Sequence, residues 1–143
     1  REVVWCGFGE PTFRLDLIVA AAPCLRARGL RIRVNTNGHA GLIHGRDPLP
    51  ELAAAVDVLS VSLNAPDAAR YLELCRPDPS SLGRSVPPEP AAFWEAMIDF
   101  LGRAVGKVPG VYASVVGAAL SEEEIEACRD LARRLGAHGF RVR

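Results

Sequence analysis

The sequence predicts an α/β fold, a parallel sheet of about five strands with helices packed outside it. Segments of strand character alternate with segments of helix character along the whole chain. Residues 56–64, VDVLSVSLN, are almost continuously apolar and suit a strand buried on both faces. The third observation is bulk: at 143 residues and 49% apolar content, one domain has enough material for a core.

The elements follow in order. EVVWCGF at the start carries the β-branched and aromatic residues of a strand. FRLDLIVAAAPCLRAR, residues 13–28, has the apolar spacing of a helix, with Pro23 a candidate kink, and Gly29 stops it. In LRIRVNTNG, residues 30–38, Leu30, Ile32 and Val34 alternate with Arg31 and Arg33 before a turn at Asn37-Gly38. The alternation predicts that the two arginines lean outward. A loop holding His39 and His44 leads to a short helix at 49–54, and VDVLSVSLN follows. A second short helix over about 66–74 runs into CRPDPSSLGRSVPPEP, whose five prolines make it a loop. The helix AAFWEAMIDFLGRAV places Phe93, Met97, Phe100 and Leu101 at core spacing, and GVYASVVG is the fourth strand. SEEEIEACRDLARRLGA opens with a capping signal at Ser121 and Glu124, and GFRVR closes the chain as a fifth strand. Both ends read as cut, because Val3 and the final strand already belong to the sheet; the expectation is the middle of a longer chain.

Seventeen basic and seventeen acidic residues cancel, so no overall field exists to hold nucleic acid or an anionic membrane. The apolar stretches fall short of a membrane span and no signal-peptide pattern opens the chain, which leaves a cytoplasmic protein as the default. Cys6, Cys24, Cys75 and Cys128 form neither a CxxC pair nor a CxxxCxxC triplet; each reads as a small buried hydrophobe, and no metal ligand set is expected within the segment. His39 and His44 read as solvated loop residues, with His39 also a candidate to touch a substrate. Glu122, Glu123 and Glu124 read as a favourable first turn. A dinucleotide site would need a third glycine where Thr12 stands, after Pro11, and neither GxSxG nor GxxxxGK[ST] occurs.

In parallel α/β architectures, open or barrel, functional groups gather at the carboxyl ends of the strands. Those ends here are Gly7-Phe8-Gly9-Glu10-Pro11-Thr12, Asn35-Thr36-Asn37-Gly38-His39, Ser62-Leu63-Asn64 and Val116-Gly117. A carboxylate, hydroxyls, carboxamides and bare glycine backbone on one rim suit a zwitterionic ligand carrying an ammonium, a carboxylate and a ribose. Read alone, Glu10 is equally an ordinary carboxylate at a helix N-terminus.

The stretch GFGEP resembles the Gly-Gly-Glu-Pro motif of radical S-adenosylmethionine enzymes, and TNG, SVSLN and VVGAALSEEE follow in the order that superfamily uses. The likeness is nearest to the TatD-family-associated radical SAM proteins and runs over nearly the whole chain. It implies a partial (β/α) barrel of TIM-barrel type, S-adenosylmethionine and a [4Fe-4S] cluster, an electron donor as partner, and reductive cleavage to a 5′-deoxyadenosyl radical that acts on a substrate not specified by the motifs. The family's CxxxCxxC loop is absent, so the resemblance implies a core-domain fragment, 1–143, whose first strand and cluster loop lie upstream. It further implies that Gly7 and Gly9 bring backbone against the methionine moiety and that Glu10 accepts from its ammonium group. Thr36 and Asn37 match the second strand end, Ser62 and Asn64 the position near ribose and carboxylate, and Val116 and Gly117 the adenine position, where the family's GxIxGxxE is only loosely kept. Arg141 and Arg143 could face the substrate or cofactor carboxylate. The competing reading is a non-catalytic α/β module that binds a small molecule or a protein.

Overall fold

Five strands, β1 (Glu2–Trp5), β2 (Arg31–Thr36), β3 (Val58–Ser62), β4 (Gly110–Val115) and β5 (Gly139–Val142), form one parallel sheet in the order β1-β2-β3-β4-β5. The description comes from a computed structural model and covers residues 1–82 and 88–143. Between the strands lie α1 (Leu15–Ala27), α2 (Ala40–His44), α3 (Leu49–Ala55), α4 (Ala68–Cys75), α5 (Ala91–Ala104) and α6 (Glu122–Arg134). When consecutive strands are neighbours and every crossover is right-handed, all helices fall on the same side. The result is a partial barrel, helices outside and one sheet face open.

Residue alternation separates the faces. Ile32 and Val34 of β2, Leu59 and Val61 of β3, and Val111, Ala113 and Val115 of β4 all point into the core with Ile18, Leu52, Met97 and Leu101 from the helices. Each of the buried Val, Leu, Ile and Met side chains contributes roughly 1.5–3 kcal/mol. Their register partners on the other face are polar: Asn35, Ser60 and Tyr112 align across β2, β3 and β4. Ser60 is nonetheless fully buried, so β3 is covered on both faces as its continuous apolar run predicts.

Local chemistry sets the element ends. Ser121 and Glu124 form the predicted reciprocal capping box of α6, and Asp67 caps α4 by accepting from the Arg70 N–H. Asp57 ties three strands at their start: its Oδ2 accepts from the Ile32 N–H at 2.7 Å, its N–H donates to the Ile32 carbonyl, and its own carbonyl accepts from the Gly110 N–H. Pro23 lies inside α1 without ending it. The last part of the long predicted loop, residues 83–87, lies outside the described residues, while Pro79–Leu82 forms a 3-10 turn.

Three expectations are corrected. Residues 40–44 are helical, because Ala40 packs fully into the core and Gly45, at φ 66°, supplies a left-handed end. Arg33 does not lean out to solvent: its side chain is 16% exposed, paired with Glu2 on the open sheet face. Of the four thiols only Cys128 is buried; Cys6 follows the uncovered strand β1 and Cys24 lies on the outer side of α1, and both are exposed.

Candidate functional site

The loop leaving β1 is built around Glu10. Gly7 (φ 151°) and Gly9 (φ 102°) hold backbone conformations that side-chain-bearing residues rarely adopt, and a Cβ at either would meet nothing within 4 Å. They set the loop's shape and leave bare backbone facing open space. Glu10 then caps the 3-10 turn Pro11–Arg14. Its Oε1 accepts from the Thr12 N–H (3.1 Å), the Thr12 hydroxyl (2.7 Å) and the Thr36 hydroxyl (2.7 Å), while Oε2 accepts from the Asn37 N–H (2.7 Å). A carboxylate has about four acceptor positions in all. Oε1 is fully used, and Oε2 keeps room for one more donor. The carboxylate therefore staples the end of β1 to the end of β2, and the 2.7 Å contact of His44 Nε2 with the Thr12 carbonyl ties α2 to the same turn.

Beside that staple lies a cavity of about 390 Å³. Asn37, His39, Ser62 and Asn64 line it from the strand ends, and Tyr71, Cys75 and Phe93 close it from α4 and α5. Asn64 takes φ 58°, a left-handed conformation asparagine tolerates, as the chain turns out of β3. That turn is held because the N–H groups of Leu63 and Asn64 both donate to the Ser114 carbonyl. The Asn64 amide reaches Cys75 Sγ at 4.0 Å, and the Tyr71 hydroxyl bonds His39 Nε2 at 3.0 Å.

His39 is only 5% exposed, with Phe93 edge-on at 4.9 Å, so it is not the solvated loop residue expected from sequence. Burial pushes its pKa down to about 4, against a smaller upward pull from a backbone hydrogen bond with Phe93. The ring is neutral at pH 7 and keeps an acceptor nitrogen. Burial likewise raises the Tyr71 hydroxyl and the Cys75 thiol, so both stay protonated. These three side chains are thus polar and uncharged beside aromatic surface, while Asp78, whose carboxyl is held below its usual range by hydrogen bonds from Ser80, adds a negative charge to the same cavity.

The predicted site residues divide into three groups. Asn37, His39, Ser62 and Asn64 share the cavity; Gly7, Gly9 and Glu10 line a separate recess of about 260 Å³, and a hydrogen bond links Glu10 of the one to Asn37 of the other. Thr36 is buried beneath the staple. Val116 and Gly117 line neither space. Val116 is exposed, and a Cβ on Gly117 would meet Val142 Cγ1 at 2.6 Å, so the glycine serves the packing of β5. Arg141 lies on the open sheet face with its guanidinium 4.8 Å over the Tyr112 ring.

Sequence reasoning missed Tyr71, Cys75 and Phe93. Phe93 was legible only as a core residue, and no spacing signal marks Tyr71 or Cys75, because their role depends on how α4 folds back over the strand ends.

Among the described residues no group of three His, Cys, Asp or Glu side chains is placed to hold a metal ion, and no helix is long and apolar enough to cross a membrane. Among solved structures the chain is similar to a domain of pyruvate-formate lyase-activating enzyme from Bacteroides vulgatus ATCC 8482, with 15% identity, a TM-score of 0.51, and coverage of 99% of this chain and 98% of that one. At this identity the likeness is one of fold. No family model and no curated protein matches.

Proposed function

We propose that the chain is the central segment of a radical S-adenosylmethionine enzyme and forms part of its cofactor pocket. The observation that carries this reading is the Glu10–Asn37 hydrogen bond, which ties the Gly7-to-Glu10 recess to the strand end that lines the Asn37–Ser62–Asn64 cavity. The fold likeness to a pyruvate-formate lyase-activating enzyme domain supports it, as that protein belongs to a radical SAM family. So does the order of the four sequence motifs.

The residues fit S-adenosylmethionine but not the cluster. Open space over Gly7 and Gly9 admits the methionine moiety, and the remaining position on Glu10 Oε2 can take an ammonium proton. Ser62, Asn37 and Asn64 offer hydroxyl and carboxamide groups to ribose and carboxylate. The neutral, aromatic wall of His39, Tyr71 and Phe93 suits a heteroaromatic base better than the Val116–Gly117 position does, since Gly117 is filled by Val142. The described residues supply no ligand set for a [4Fe-4S] cluster, so its cysteines are assigned to a segment outside this one. When bound, such a cluster supplies the electron for reductive cleavage. This segment's part is to orient the cofactor and keep water from it.

The test is anaerobic expression of the full-length parent with iron and sulfide, followed by an assay for 5′-deoxyadenosine. Production that falls sharply in Asn64→Ala is the expected result; a parent with no cluster and no product contradicts the proposal. A second reading, a non-catalytic small-molecule module, is favoured by one observation: Glu10 is largely satisfied by its own chain and acts as an N-cap. A parent that binds S-adenosylmethionine without cleaving it would support that reading.

A further inference from the structure

Among the described residues that line the strand-end cavity, Asp78 alone carries a charge. Its place is fixed from both sides. The residue after α4, Arg76, takes a left-handed conformation at φ 42° and its Nε donates to the Glu73 carbonyl at 3.2 Å, a turn that brings Pro77 and Asp78 back to the cavity. Beyond it, the Ser81 N–H and hydroxyl both donate to the Asp78 carbonyl, at 3.1 and 2.6 Å. The turn uses only part of the carboxylate: Ser80 offers its N–H to Oδ1 and the single proton of its hydroxyl to either oxygen, against about four acceptor positions in all. Oδ2 therefore keeps an open position.

The neighbouring groups on the α4 side of the cavity are acceptors as well. The backbone bond between His39 and Phe93 favours the protonated ring and so uses a ring N–H, which leaves Nε2 as the acceptor for the one proton of the Tyr71 hydroxyl at 3.0 Å. The Tyr71 oxygen keeps its lone pairs. Asn64 turns its amide nitrogen toward Cys75, and its Oδ1 has no partner among the described residues. Asn37 is arranged the other way: its Oδ1 accepts from the His39 N–H at 2.9 Å, so its NH2 is the spare group on the strand-end side. A ligand held between the two sides must therefore bring donors to α4 and the turn after it. Apolar surface from Leu74, Pro77 and Phe93 beside those acceptors suits a flat ring carrying an amine.

We propose that Asp78 is the residue by which this cavity selects an amino-substituted purine nucleoside, its open carboxylate position accepting from the exocyclic amine while the ring lies against Phe93 and Pro77. An oxo group at the same place would set lone pairs against a carboxylate and be refused. That the nucleoside is the adenosyl part of a cofactor rests on the function proposed above; the selection of an amine by Asp78 does not.

The test titrates three nucleosides into the chain, following the Asn64 and Asp78 amides by NMR: adenosine, purine riboside, which has hydrogen in place of the amine, and inosine, which has an oxo group there. Expected are saturable shifts with adenosine and an affinity about tenfold above that of purine riboside, the lower end of what a hydrogen bond to a charged group is worth, with inosine weaker still. Asp78→Asn should bring adenosine and inosine within about threefold of each other, because a carboxamide can present either its oxygen or its NH2. Glu123→Gln on α6, an equal loss of charge away from the cavity, should leave the preference unchanged. Equal affinities for adenosine and inosine, the same preference in Asp78→Asn as in Glu123→Gln, or no saturable shift with any nucleoside overturns the proposal. The proposed function is read separately, by cleavage of S-adenosylmethionine in the parent: cleavage without amine selection by this chain removes Asp78 alone, and amine selection without cleavage removes the enzyme reading alone.

Discussion

Glu10 accepts four hydrogen bonds from three residues of its own chain, and this changes what its substitution should do. A Glu10 that did no more than accept from a ligand's ammonium group would, as Gln, weaken the ligand and leave the fold unchanged. Glutamine keeps one acceptor oxygen but points an NH2 at an N–H or hydroxyl donor, leaving at least one buried group unpaired. Glu10→Gln should therefore lose about 1–3 kcal/mol in urea unfolding as well as ligand affinity; unchanged stability would mean the staple is not formed in solution. His39 makes a pH prediction. Its folded pKa of about 4 lies below the unfolded value near 6.5. Above pH 6.5 neither state is protonated. As pH falls from 6.5 to 4 the unfolded chain takes up a proton that the folded chain refuses, so about 3 kcal/mol of stability is lost across that window. His39→Gln should flatten the loss by one proton's slope; an identical profile would contradict burial of the neutral ring.

At the scale of elements, the strands and longer helices were legible because their signals are local: period-two alternation in β2, the capping box of α6, the apolar face of α5. The short helix α2 was not, since its five residues owe their conformation to the packing of Ala40 and the turn at Gly45 rather than to propensity. The site divides the same way. Asn37, Ser62 and Asn64 could be found by asking what sits on strand ends, whereas Tyr71 and Cys75 of α4 reach the cavity only through tertiary folding. Ser62→Ala tests the cavity with little structural cost, because that side chain is only half-buried and makes no side-chain hydrogen bond among the described residues. It should reduce S-adenosylmethionine affinity about 2- to 10-fold, read by calorimetry, with thermal stability unchanged; unaltered affinity would remove Ser62 from the site.

Over the whole molecule, the sheet packs one face against the helices and carries polar side chains on the other. Leu59 stands at the centre of the first, fully buried between β2 and β4. Leu59→Ala should cost about 2–5 kcal/mol in denaturant unfolding, and a loss below about 1 kcal/mol would show that the helical layer does not pack as described. The parallel sheet was readable from the alternation of strand and helix segments, and the partial barrel only from the family resemblance; the polar lining of its open face was not. Arg31 and Arg33 resemble any solvated alternation until the fold pairs Arg33 with Glu2 across β1 and β2.

The central claim is that the ends of β1, β2 and β3 meet in one pocket for S-adenosylmethionine. Its most direct test is an amide NMR titration of this chain with that compound. The account predicts saturable shifts at Gly7, Gly9, Asn37 and Asn64, with Val116 and Gly117 unmoved. Shifts centred on Val116 and Gly117, or none at all, would contradict it.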